Sequence, residues 1–238
     1  MKSTPKQTLS SSFKRFFWRG IAFLTFALVL LPGSDLKASH IVGGDITYKC
    51  LGNNKYEIIL NVYRDCYYGD PLAWFDNPAY IGIYRKSNNS LFQQVNMIFS
   101  GINDTLNNFI MDTCLFVPPV VCVHATQYKK IVTIPYDAAG YEILYIRCCR
   151  NFPIQNIVSP TTTGSTHCVT LSGPSMLQCN STPSFGGAAP IFICVNQPLA
   201  YDHSAVDPNG DSLVYRLFTP FAGGTFANPQ PTPPPIMP

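Results

Sequence analysis

The sequence predicts an all-β protein: an Ig-like β-sandwich followed by a second, incomplete Ig- or cadherin-like β domain. Three observations lead there. No stretch after residue 39 keeps a 3.6-residue apolar period, whereas two-residue alternation recurs. Segments rich in Ile, Val, Tyr and Phe are separated by short clusters of turn residues. All nine cysteines lie beyond an export signal, where an oxidising environment favours disulfides.

The signal comes first in the chain. Lys2, Lys6, Lys14, Arg15 and Arg19 are followed by Ile21–Leu31, apolar apart from Thr25, and then by Pro32, Gly33, Ala38 and Ser39. Basic region, apolar region and small-residue region in that order describe a secretory signal peptide over residues 1–38. The apolar run is too short to span a bilayer comfortably. No later segment is apolar enough to cross a membrane, so the expected location is secreted or cell-surface, beyond the inner membrane. Charged residues are 12% of the chain, half the usual ~25%. The net charge of +3 is carried by the signal, and the mature chain is near neutral. A nucleic-acid partner, which needs a basic face, is therefore not expected.

Residues 39–150 are expected to form the sandwich. In Lys55–Arg64, Tyr56, Ile58, Leu60 and Val62 share one face, and Glu57, Asn61 and Tyr63 the other, with Ile59 as the exception. Ala79–Arg85, Leu91–Phe99, Tyr128–Pro135 and Tyr141–Arg150 read as further strands. Gly69-Asp70-Pro71, Ser87-Asn88-Asn89 and Ala139-Gly140 supply turns. Residues 151–165 contain Pro153, Pro160 and a Thr run and read as a linker. Strands around Cys168–Leu171, Ile191–Val195, Leu199–Ser204 and Ser212–Phe218 would make a second β domain over 166–227. Four strands fall short of the roughly seven of a sandwich, so this part either pairs with the first or is cut short. A proline-rich tail, 228–238, favours an extended conformation without sheet hydrogen bonds.

Of the nine cysteines, Cys50, Cys66, Cys114, Cys122, Cys148, Cys149, Cys179 and Cys194 are the disulfide candidates; connectivity is left open, and so is which one of the nine stays unpaired in a monomer. Pro118-Pro119 can turn the chain between Cys114 and Cys122, which suggests a bridge there. Neighbouring side chains on a strand point to opposite faces, so Cys148 and Cys149 are expected in two separate bridges, one facing the core, with a sterically awkward bridge between the two as the minor alternative.

Several motifs carry chemical suggestions. Ile41-Val42-Gly43-Gly44 and Gly210-Asp211-Ser212 look like the amino terminus and nucleophile of trypsin-like proteases. Signal cleavage would leave the new amine on Ser39 or His40, and none of His40, His124, His167 and His203 has the family's context. Gly210-Asp211-Ser212-Leu213 also matches an esterase motif, but that motif belongs to an α/β domain. A hydrolase using Ser212 is thus a remote alternative, and no enzyme is expected. Asp207, Asn209 and Asp211 place oxygens at alternate positions around Gly210, with Asp202 nearby. That suits either a calcium site or a plain hairpin turn. An EF-hand is excluded, because glycine comes fourth and Phe218 stands where a Glu should bind. Trp74 and Phe75, with Tyr67, Tyr68 and Asp70, offer a carbohydrate-stacking platform or a core plug. Asn88, Asn103 and Asn180 match N-glycosylation sequons that bacteria seldom use. Asp104-Thr105-Leu106 and Asp211-Ser212-Leu213 match a short bacterial O-glycosylation pattern.

Longer runs carry a resemblance. Ser39 through Glu57, Val62-Tyr-Arg-Asp-Cys66, Arg147-Cys-Cys-Arg-Asn151, Ser184-Phe185, Cys194-Val-Asn196 and Asp202 through Tyr215 resemble the opening region of large exported Bacteroidetes surface proteins. These are of the gliding-motility-associated or PKD-repeat type. The resemblance implies an outer Ig-like β architecture, a surface or secreted location and no known catalytic residues. It also implies a cysteine where this chain has Phe218, which would account for the odd count. Full members continue into repeats and a type IX sorting domain, and this chain ends at Pro238 without one. The functional expectation is a non-enzymatic module for adhesion or surface structure, with carbohydrate binding as the alternative. Its glycan or protein ligand is left open.

Overall fold

The computed structural model describes residues 41–69, 73–106, 121–186, 189–191, 193, 195–196, 198–225 and 227–235. The expected signal peptide lies outside them. Eight strands build two antiparallel sheets: β1 (Ile41–Gly52), β2 (Lys55–Asp65), β3 (Ala79–Arg85), β4 (Leu91–Met97), β5 (Asp104–Thr105), β6 (Val123–Thr133), β7 (Tyr141–Arg147) and β8 (Ser165–Leu171). The first sheet has the order β1-β2-β6-β5 and the second β4-β3-β7-β8. This is the Greek-key order of an Ig-type sandwich, with the β1-β2-β6-β5 sheet facing a four-strand partner. The protein is all-β, as the sequence indicates.

Alternation makes the core. Tyr56, Ile58, Leu60 and Val62 of β2 are buried, and they share one cluster with Ile81 and Ile83 of β3 and Ile143 and Tyr145 of β7. Each strand thus gives every second side chain to the space between the sheets. Tyr141, the first residue of β7, donates its hydroxyl to the Pro135 carbonyl at 3.0 Å. That contact closes the β6–β7 connection in the manner of an Ig tyrosine corner.

The second half of the chain departs from expectation. Residues 151–165 do not separate two domains. Asn151 is buried and donates to Asp65 Oδ2, and β8, expected to begin a second domain, pairs along its whole length with β7. A single turn of helix follows, α1 (Gly173–Gln178), capped by Ser172, whose hydroxyl accepts from Ser175 N. Six residues are too few to leave an apolar period in the sequence, although Ser172-Gly173-Pro174 carries the capping signal.

Beyond α1 the only ladder among the described residues is β9 (Ser184–Phe185) with β10 (Ala205–Val206). Leu199–Ser204 and Ser212–Phe218 are irregular rather than strands. These segments pack on the sandwich. Residues 179–182 run beside β1: Thr182 N donates to Tyr48 O and Cys50 N to Ser181 Oγ. They cover an edge that would otherwise be open. Gly223 and Gly224 pass so close to Gly164 and Ser165 that a Cβ on Gly164 or Gly223 would meet backbone at 2.4 Å, and one on Gly224 would meet the Pro229 carbonyl at 2.7 Å. The proline-rich tail does accept hydrogen bonds: Cys148 N donates to Pro229 O, and the Tyr84 hydroxyl to Pro234 O. The tail lies on the outer face of the second sheet, where Tyr84, Leu144 and Ile146 form a small second cluster.

The disulfides also differ from expectation. Cys122 bonds Cys66, not Cys114, because β2 and β6 run side by side and bring their ends together. Cys148 and Cys149 bond each other, both buried, where one was expected to face outward. They lie just past the end of β7, so strand alternation does not govern them. Cys50 bonds Cys179 and clasps α1 to β1. Cys168 is free.

Candidate binding groove

A groove of about 930 Å³ lies on the outer face of the first sheet, under the segment that carries β9 and β10. Pockets of roughly 300–1,000 Å³ are the usual size of ligand sites. Its floor consists of outward residues of three strands. Asp45, Asn61 and Gln127 stand directly opposite one another across β1, β2 and β6. Gln127 Nε2 donates to Asn61 Oδ1 at 2.9 Å, and Asn61 Nδ2 donates to Asp45 Oδ2 at 2.9 Å. The Tyr63 hydroxyl also bonds the Asp45 carboxylate. Burial pushes the Asp45 carboxyl up, against the pull of those hydrogen bonds. Burial, and then the neighbouring carboxylate, push the Tyr63 phenol up as well. The ladder therefore presents amides and a phenol to the groove beside a carboxylate that already accepts hydrogen bonds.

The roof is aromatic. Phe185 and His203 stack with ring centres 4.6 Å apart, and Tyr201 lies 5.6 Å from His203. Pro183, Pro190 and Ile191 complete it. At the Asp65 end, Tyr68 lines the groove and meets Phe152 edge-to-face. Asp65 is fully engaged there. Its Oδ1 accepts from Tyr67 N and Tyr68 N, and its Oδ2 from Asn151 Nδ2. Asn151 Oδ1 beside it is buried without a hydrogen-bond partner.

Of the described residues singled out by sequence as candidate site residues, Tyr68, Cys122 and His203 line the groove and the others are placed elsewhere. Phe75 is a core residue packed against Phe99. Trp74 is half exposed, but the Arg64 guanidinium sits 4.8 Å over its ring and His124 meets its edge. The pair is a plug with a covered lip, not an open platform. Asp70, Cys114 and Cys194 fall outside the described residues.

Asp207, Asn209 and Asp211 come together in a turn, and one side-chain oxygen of each accepts hydrogen bonds. Asp207 Oδ1 accepts from Asn209 N at 2.8 Å and Asp211 N at 3.2 Å. Asn209 Oδ1 accepts from Ser181 N, and Asp211 Oδ2 from Asn180 Nδ2. As placed, the trio suits a turn that pins residues 180–181 better than a cation cage. Asp202 likewise accepts from Ser204 N. Ser212 is exposed in an irregular stretch of an all-β chain, without the strand–helix setting of the esterase motif.

Cys66, Cys122 and His124 form a compact group, but the two sulfurs are bonded to each other, and metal ligation needs thiolates. No helix among the described residues is long and apolar enough to cross a membrane.

No protein-family model, curated protein or solved structure matches the chain. Fold and groove together define a class: an all-β, disulfide-clasped sandwich with an aromatic-roofed groove on one outer face.

Proposed function

We propose that the protein is a non-enzymatic, extracellular or cell-surface module that serves adhesion or surface structure by holding a ligand in this groove. The observation that carries the reading is the groove's lining. Ring faces, amides and already bonded carboxylates gather on a stiff sheet, and such groups hold a ligand rather than transform it. The basic-then-apolar amino terminus supports export, and three disulfides among the described residues suit an oxidising compartment.

Beads coated with the mature protein are expected to attach to cells or to glycan-coated surfaces. The same beads carrying Phe185→Ala/His203→Ala should attach less. Attachment by neither, across a broad panel of surfaces, would rule out adhesion.

A further inference from the structure

We infer that the groove takes a neutral oligosaccharide laid along β2, its ring faces on the Phe185–His203 stack and its hydroxyls on the Asn61 and Gln127 amides. This rests on the groove being the module's binding site.

Charge selects the class of ligand. No Lys or Arg is among the described lining residues. A phosphate, sulfate or uronate would find no counter-charge there and would face Asp45 and Asp65. A cationic ligand would find both carboxylates already accepting hydrogen bonds. What the groove offers instead are donors and acceptors side by side. After the ladder bonds, Gln127 keeps its Oε1 and one N–H, and Asn61 keeps one N–H. Adjacent sugar hydroxyls, each donor and acceptor at once, match that set.

The rings select shape. One face of a pyranose presents C–H groups and packs on an aromatic ring, while its rim presents hydroxyls. A roof of stacked rings above a floor of amides meets both surfaces together. Length selects a chain rather than a single sugar. The outward positions Ile59, Asn61, Tyr63 and Asp65 run about 20 Å along β2 at ~3.3 Å per residue. Tyr68 stands at the Asp65 end as a second ring, beside the unpartnered Asn151 Oδ1. A buried acceptor without a partner marks a place where a ligand hydroxyl or a water is needed.

Isothermal titration of the mature protein with cellohexaose, mannohexaose, chitohexaose and hexagalacturonate tests this. At least one neutral hexaose should bind, its disaccharide should bind about tenfold more weakly, and hexagalacturonate should bind more weakly than any neutral binder. Phe185→Ala/His203→Ala and Gln127→Ala should each weaken binding about tenfold, with an unchanged circular dichroism spectrum. Gln127, Phe185 and His203 are exposed, so these variants should fold. Silence of all neutral hexaoses, preference for hexagalacturonate, or full binding by both variants would overturn the inference. Beads that adhere while every hexaose fails would sink the sugar and spare the module. A hexaose bound in the groove by protein whose beads stay unattached would do the reverse.

Discussion

Asp76 and Arg147 form an almost fully buried ion pair, 3.0 Å apart, between the β2–β3 connection and the end of β7. The Tyr145 hydroxyl donates to the same carboxylate at 2.6 Å, and the Tyr128 hydroxyl donates to the Asp76 backbone carbonyl at 2.8 Å. Burial still pushes the Asp76 carboxyl up, against the pull of Arg147 and Tyr145. Desolvation thus outweighs the attraction of Arg147 for this carboxylate. Removing one partner is different, because it strands the other charge. Asp76→Ala should cost about 3–5 kcal/mol, read from the urea midpoint at unchanged slope. Asp76→Leu/Arg147→Met should cost less than Asp76→Ala alone. A double variant worse than the single one would contradict this account.

The sulfur pairing predicts a peptide map. Digestion without reduction should link the Cys66 peptide to the Cys122 peptide and the Cys50 peptide to the Cys179 peptide. Cys148 and Cys149 should appear as one oxidised peptide, and Cys168 should take an alkylating reagent before unfolding. Cys50→Ala/Cys179→Ala should lower stability by about 2–4 kcal/mol, because that bridge joins residues 129 apart. A Cys122 peptide linked to Cys114 instead would refute the register of β2 against β6.

His167 predicts an acid weakness. Its ring lies nearly parallel to Tyr145 and so close to Gly44 that a Cβ there would come within 3.2 Å. Burial, and then the positive charge of Arg150, push its imidazole down to about 4, while a Gly44 backbone hydrogen bond pulls the other way. The unfolded chain takes up this proton near pH 6.5 and the folded chain only near 4. Stability from His167 is therefore complete above pH 6.5 and is lost as pH falls toward 4, by at most about 3 kcal/mol. Melting temperature should fall across that window, and His167→Asn should flatten the fall. An equally steep fall in the variant would assign the effect to other groups.

How much of this was legible in the sequence depends on whether a feature is local. Alternation in β2 named its buried face correctly, and Ile59, the residue that broke the pattern, turns out to line the groove. Strand β3 was legible to the residue, because Asn77-Pro78 and Lys86–Asn89 stop it on both sides. The Asp45–Asn61–Gln127 ladder was not, since its members meet only through the register of three strands. Phe185 and His203 were equally hidden, being brought to the first sheet by a chain reversal with almost no regular structure. The false linker at 151–165 had the composition of one, yet Asn151 and β8 tie its ends to the sandwich. Composition marks irregular backbone but not whether that backbone is packed.

The last prediction concerns the turn at Asp207. Its spacing of oxygens suits calcium, but Asp207 Oδ1, Asn209 Oδ1 and Asp211 Oδ2 already hold backbone amides and the Asn180 side chain. Gly210 adopts φ of 82°, which a side chain would oppose, and so completes a turn. The turn grips residues 180–181, which lead directly into the Phe185 roof. Loosening it should therefore be felt in the groove. Asn209→Ala and Asp211→Ala should each cost about 0.5–1.5 kcal/mol and weaken ligand attachment, with or without metal. EDTA should leave the melting temperature of the unaltered protein unchanged. A drop with EDTA that calcium restores would show instead that these oxygens turn toward a cation, and that the hydrogen bonds described here give way to it.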